Sequence, residues 1–112
     1  RGAKGVFGDI LPELQAADVN VFNLEVVLTD QVEDPKSCCK FRAPINVSLA
    51  ALRAANLNVA LVANNHQKDF GSDPLKESLA SLDAAGIPYS GASLGSSNHW
   101  KPTIIRVPGK PL

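Results

Sequence analysis

Val59-Ala60-Leu61-Val62 is a continuous apolar run that ends abruptly, giving way after Ala63 to Asn64-Asn65-His66 within the segment LNVALVANNHQKDFG. A run this short and this apolar reads as a buried strand. Open α/β sheets place their chemistry at the C-terminal tips of such strands, where side chains stand on a rigid base and face a crevice. An amide oxygen beside an imidazole suits a divalent metal together with a proton donor. Asn, Asp and Gly are equally at home in a plain strand-to-helix turn. The local sequence leaves both readings open.

The flanking residues punctuate the chain. Asp9 is placed to cap a short helix over Asp9 to Ala17, with Pro12 in its first turn, where no N–H is required. Val19 to Phe22 reads as a strand stopping at Asn23-Leu24-Glu25. Val26 to Ile45 is a long polar connection containing Asp34-Pro35 and the adjacent Cys38 and Cys39, and connections of that length are usually functional or mobile. Asn46 or Ser48 can cap a second helix, with Leu49, Leu52 and Ala55 as its buried stripe and Asn56 as its stop. The strand Asn58 to Ala63 follows. Asp73 then caps a third helix with Pro74 at its first position, Leu75, Leu79 and Leu82 at helical spacing, and Gly86 and Pro88 at its close. Ile87 to Ser90 and Thr103 to Val107 read as strands either side of a Gly/Ser-rich loop over Gly91 to Lys101. Helices alternating with strands predict right-handed crossovers. The expected fold is a layered α/β domain whose largely parallel sheet is flanked by helices.

The composition excludes several function classes. Eleven basic and eleven acidic side chains cancel, so no basic stripe argues for nucleic acid. No apolar run approaches the roughly 20 residues needed to cross a bilayer as a helix. The opening RGAKGVFGD has no secretion-signal core, and the chain contains no Met, so it reads as processed or as a piece of a longer protein. Neighbouring cysteines rarely bond each other, and these lack zinc-site spacing. A loop thiol pair, or disulfides to other parts of a longer chain, are the readings left. His99 beside Trp100 has no partner motif and reads as a surface residue.

Two strands thus end in polar tips, Phe22-Asn23-Leu24-Glu25 and Ala63-Asn64-Asn65-His66, and a parallel sheet brings both to one edge. That pairing and its surroundings resemble the CapA family of capsule and poly-γ-glutamate synthesis proteins, which look like calcineurin-type metallophosphatases in fold. The resemblance runs through ADVNVFNLEVVLTD, KFRAPINVSLAALRAANLNVALVANNHQKDFG, LASLDAAGIPYSGAS and KPTIIRVPGK, in the family's order and over nearly the whole chain. The combination of NLE, FRA and ANNHxxDxG carries it. The family also opens with a strand ending in Gly-Asp-(apolar)-(apolar)-Gly-Arg, whose Asp belongs at the metal centre. Arg1 looks like the Arg closing that motif, and Gly8-Asp9 is not the motif. The family continues past the equivalent of Leu112 and supplies further histidines there. The resemblance therefore implies that residues 1–112 are one partial domain, roughly its first half less the opening strand.

The resemblance implies a divalent metal centre, with manganese, zinc, magnesium, iron or calcium all compatible. Glu25 takes the place of the bridging or first carboxylate, and Asn65 supplies an amide oxygen. The Glu of NLE stands where phosphatases commonly have Asp, and its longer arm shifts the metal position. His66 is the catalytic candidate, as donor to a leaving group or as a group polarising the substrate. Asp69 either orients that imidazole or caps the turn before Gly71. Asn23 and Asn64 either shape their turns or contact substrate, and Arg42 either faces an anionic substrate or forms a surface ion pair. The implied partners are a polyanionic or peptide-like polymer and other cell-envelope synthesis components, at the cell envelope or outside the cell. Three functions fit: a metal-dependent hydrolase or transferase, a metal-dependent peptide epimerase, or a non-catalytic polymer-binding or assembly component.

Overall fold

A computed structural model describes residues 2–32, 39–95 and 102–111. Its centre is a three-stranded parallel sheet in the order β1 (Val21–Asn23), β4 (Val59–Leu61), β5 (Tyr89–Ser90). A second parallel pair, β2 (Val27–Leu28) and β3 (Arg42–Ala43), lies within the long connection after β1. Helices α1 (Gly2–Phe7), α2 (Leu11–Ala16), α3 (Ile45–Ala54) and α4 (Ser72–Ala85) complete the order, with a 3₁₀ turn at Gly8–Ile10 between the first two. The architecture is α/β with parallel pairing among the described strands, as the alternation predicts.

The apolar stripes close on one core. Leu49 and Leu52 of α3 and Leu79 and Leu82 of α4 pack with Leu24, Leu28, Ala60, Val62 and Ile87. Leu79 and Leu82 lose essentially all solvent contact, and burying a leucine is worth about 1.5–3 kcal/mol. Asn56 adopts φ 55°, a left-handed conformation that an Asn tolerates, and so ends the segment following α3. Gly86 does the same after α4 at φ 69°, its N–H donating to the carbonyls of Asp83 and Leu82.

Several expectations need correction. Helical structure begins at Gly2 rather than Asp9, and Asp9 sits inside the 3₁₀ turn without capping. α3 starts directly after Pro44, so neither Asn46 nor Ser48 caps it, and Ser48 instead donates its hydroxyl to the Pro44 carbonyl at 2.6 Å. The N-cap of α4 is Gly71, one residue before the helix that contains Asp73 and Pro74. Thr103 to Val107 forms no strand, though Thr103 donates its hydroxyl to the Tyr89 carbonyl at 2.9 Å. The long connection is not merely polar loop. Its Val27-Leu28 strand is fully buried under α4, where Leu28 N–H donates to Ser78 Oγ at 3.1 Å and the Thr29 hydroxyl donates to Glu77. Arg1, Asp34-Pro35, Cys38, and His99 with Trp100 lie outside the described residues, and Cys39 is exposed.

Candidate functional site

Parallel pairing places Asn23 level with Leu61, so the ends of β1 and β4 meet at one edge of the sheet. Asn64 Nδ2 spans the two tips, donating to Asn23 Oδ1 at 3.0 Å and to the Leu24 carbonyl at 2.9 Å. Asn64 Oδ1 accepts the His66 backbone N–H at 3.1 Å, and Asn23 Nδ2 donates to Glu25 Oε2 at 2.9 Å. A continuous relay therefore runs from the Glu25 carboxylate through two amides to the backbone of His66. Both amide hydrogens of Asn64 are engaged within the protein. The Asn65 side chain is exposed and makes no hydrogen bond among the described residues.

His66 stands at the far end of the relay in a turn that closes when Asp69 N–H donates to the His66 carbonyl at 3.1 Å. Its Nδ1 lies 2.9 Å from Asp69 Oδ2, and that same oxygen accepts the Phe41 backbone N–H at 2.8 Å. An ionised carboxylate only accepts, so Nδ1 carries the proton and Nε2 has no hydrogen bond among the described residues. The hydrogen bond from His66 is the main reason the Asp69 carboxyl sits below its ordinary value; the Phe41 N–H and the charges of His66 and Lys40 act the same way. The two side chains are only 15% and 11% exposed, so water competes weakly for the pair. The Phe41 ring meets the imidazole edge-on, with centroids 4.6 Å apart.

Glu25, Asn23, Asn64, His66 and Asp69 are thus joined in one cluster. Arg42 goes elsewhere, its Nη1 donating to the Thr29 carbonyl at 3.4 Å from a partly buried position. Two residues of the cluster have no signal of their own in the sequence. Phe41 acts partly through its backbone N–H, which any residue there possesses, although it stands in the FRA segment. Gln67, 3% exposed, donates its side-chain amide to the Leu24 and Val26 carbonyls, and a single glutamine in a turn announces nothing.

The donor chemistry fits a divalent cation along one wall. Glu25 is an exposed carboxylate and Asn65 an amide with no hydrogen bond among the described residues, and His66 stands beside them with its Nδ1 tied to the Asp69 carboxylate. No group of three or more His, Cys, Asp or Glu side chains converges among the described residues, so the remaining donors of a closed centre would come from elsewhere.

Comparison with known proteins gives the family. The family model described as "Bacterial capsule synthesis protein PGA_cap" matches residues 1–112. The chain belongs to the PGA_cap family. Among relatives, it is 40% identical over 90 residues to the "Probable polyglutamine synthesis accessory protein" of two Mycobacterium tuberculosis strains, an alignment covering 77% of this chain and 23% of that protein. It is 31% identical over 90 residues to an uncharacterized Sinorhizobium fredii protein, covering 76% of this chain and 20% of the relative. The PGA_cap chain described here thus spans less than a quarter of the relatives it matches.

Proposed function

We propose that the Glu25–His66 edge is one wall of the active site of a metal-dependent hydrolase or transferase acting on a polyanionic or peptide-like polymer in capsule synthesis. The observation that carries this reading is the His66–Asp69 pair, linked through Asn64 and Asn23 to Glu25 across two parallel strand tips. Glu25 and Asn65 are the residues that would hold the cation. Such a cation, when bound, polarises the scissile group and lowers the pKa of a bound water.

The chain's own side chains do the rest. Asp69 fixes the imidazole plane through Nδ1, which leaves Nε2 of His66 as the atom that would pass on a proton. From there it protonates a leaving atom that comes within hydrogen-bond reach. Asn64 holds the two tips in register, so that acid and cation-binding carboxylate keep a fixed separation.

The test uses the full-length protein and a γ-linked glutamate polymer, followed by product analysis. Chain shortening, with rates falling about 10²–10⁴-fold in His66→Ala, is the expected result. Inversion at the α-carbon without shortening would replace cleavage by epimerisation at the same site. Absence of stoichiometric bound divalent metal, together with a polymer left unchanged by wild type and His66→Ala alike, would leave only a polymer-binding or assembly role.

A further inference from the structure

Beyond the Leu24 N–H, which donates to the Leu61 carbonyl at 2.9 Å, the segment Leu24 to Val26 lies between the end of β1 and the start of β2 and outside both strand pairings. Its conformation is nevertheless tied down by side chains from the turn after β4. Gln67 Nε2 donates to the Leu24 carbonyl and, at 3.2 Å, to the Val26 carbonyl. These are the carbonyls of the residues immediately before and after Glu25. Asn64 Nδ2 adds a second donor to the Leu24 carbonyl at 2.9 Å. One amide bridging both neighbours constrains the backbone torsions around Glu25, and hence the direction in which its Cβ leaves the chain.

We propose that Gln67 is the positioning residue for Glu25, holding an otherwise flexible carboxylate arm in the orientation that takes up a divalent cation. Two further observations favour this over a packing role. The Glu25 carboxylate has one hydrogen bond among the described residues, from Asn23 at 2.9 Å, so its aim depends on its backbone. Gln67 Oε1 is buried and has no hydrogen-bond partner among the described residues. A side chain that only filled space would do so better without that oxygen, because an unmatched buried acceptor lowers stability. The donating nitrogen is what the site requires of this residue. A glutamate there would set a carboxylate against two carbonyl oxygens, and a methionine would match the shape with no donor at all.

The inference rests on Glu25 being a cation ligand, and the test separates the two. Mn²⁺ is titrated calorimetrically into the full-length protein, its Gln67→Met and Glu25→Gln variants, and the double variant, each checked for an unchanged thermal unfolding profile. Gln67→Met is expected to weaken Mn²⁺ binding about 10–100-fold, the usual cost of removing a support behind a metal ligand. The double variant is expected to bind no worse than Glu25→Gln alone, because the glutamine acts through the glutamate. Additive losses would mark Gln67 as a general structural contributor and overturn the proposal. Unchanged affinity in Gln67→Met with a clear loss in Glu25→Gln would overturn it while leaving the metal reading intact. Unchanged affinity in Glu25→Gln would remove that reading and the proposal with it. If Gln67→Met does not fold, Gln67→Asn retains the amide but is one methylene too short to reach both carbonyls, and the same comparison applies.

Discussion

At the N-terminal end of the sheet, Asn20, Asn56 and Asn58 turn their amides onto one another and onto backbone carbonyls. Asn20 Nδ2 donates to the carbonyls of Leu14 at 2.7 Å and Asn56 at 2.8 Å, and Asn56 Nδ2 donates to those of Leu14 at 3.2 Å and Ala17 at 2.8 Å. Asn58 accepts from the Asn20 backbone and donates to the Asn56 side chain, both at 2.8 Å. At the C-terminal end, Asn23 and Asn64 pass a similar relay outward to the Glu25 carboxylate, and Asn65 points its amide at no protein partner among the described residues. The same residue type thus does two jobs. Amides that terminate on backbone carbonyls fasten α2 to the sheet. Amides that link a carboxylate to the His66 backbone set the geometry of the proposed site. What separates the ends is where the hydrogen bonds stop.

The sharpest way to blur that contrast is to disturb the C-terminal end sterically. Gly91 follows β5 at φ 105°, and a Cβ there would lie 2.5 Å from Ala63 Cβ and 2.7 Å from its backbone nitrogen. Gly91→Ala is expected to destabilise the intact protein by about 3 kcal/mol, from overpacking plus backbone strain. Chemical denaturation measures it, and a loss below about 1 kcal/mol would mean that the strand tips yield easily. Next comes the N-terminal network. Asn20→Ala removes both donors to Leu14 and Asn56 and is expected to cost about 2 kcal/mol of stability. Activity at permissive temperature should stay at the wild-type level. Lost activity without lost stability would erase the distinction between the ends.

Asp69→Asn tests the opposite end. The amide can still contact Nδ1, but it no longer stabilises an imidazolium or enforces the tautomer. Activity in the full-length protein is expected to fall about 10–100-fold with the melting temperature nearly unchanged. A large drop in melting temperature with activity per folded molecule preserved would recast Asp69 as a turn-closing residue.

The unequal legibility of the molecule follows from the range of the forces involved. Leu49, Leu52, Leu79 and Leu82 announced α3 and α4 because helical periodicity is local. Val59 to Val62 announced a strand for the same reason, although Leu61 is 44% exposed rather than buried. The β2–β3 pair escaped notice because Val27-Leu28 is two residues long and owes its burial to α4, which lies about 50 positions away in sequence, as the Leu28–Ser78 hydrogen bond shows. At the site, Glu25, Asn64, Asn65 and His66 were visible as polar residues at strand tips. The partners that orient them, Gln67 and the Phe41 N–H, were not, because their role depends on which carbonyl or carboxylate the fold brings near.

The smallest expected effect comes from acid. A hydrogen bond from His66, a second from the Phe41 N–H, and nearby positive charge hold the Asp69 carboxyl below its ordinary value of about 3.8. A carboxyl depressed in the folded state stabilises the fold above its unfolded value. That contribution fades as pH falls from about 3.8 through the lower folded value. The wild-type protein should therefore lose more stability than Asp69→Asn between about pH 4 and pH 2, and the two curves should run parallel at higher pH. Denaturation midpoints at closely spaced pH values measure the difference. The N-terminal asparagines carry no titratable group, so Asn20→Ala should shift the whole curve without changing its slope. If Asn20→Ala altered the acid slope as much as Asp69→Asn, the two ends of the sheet would be coupled rather than separate.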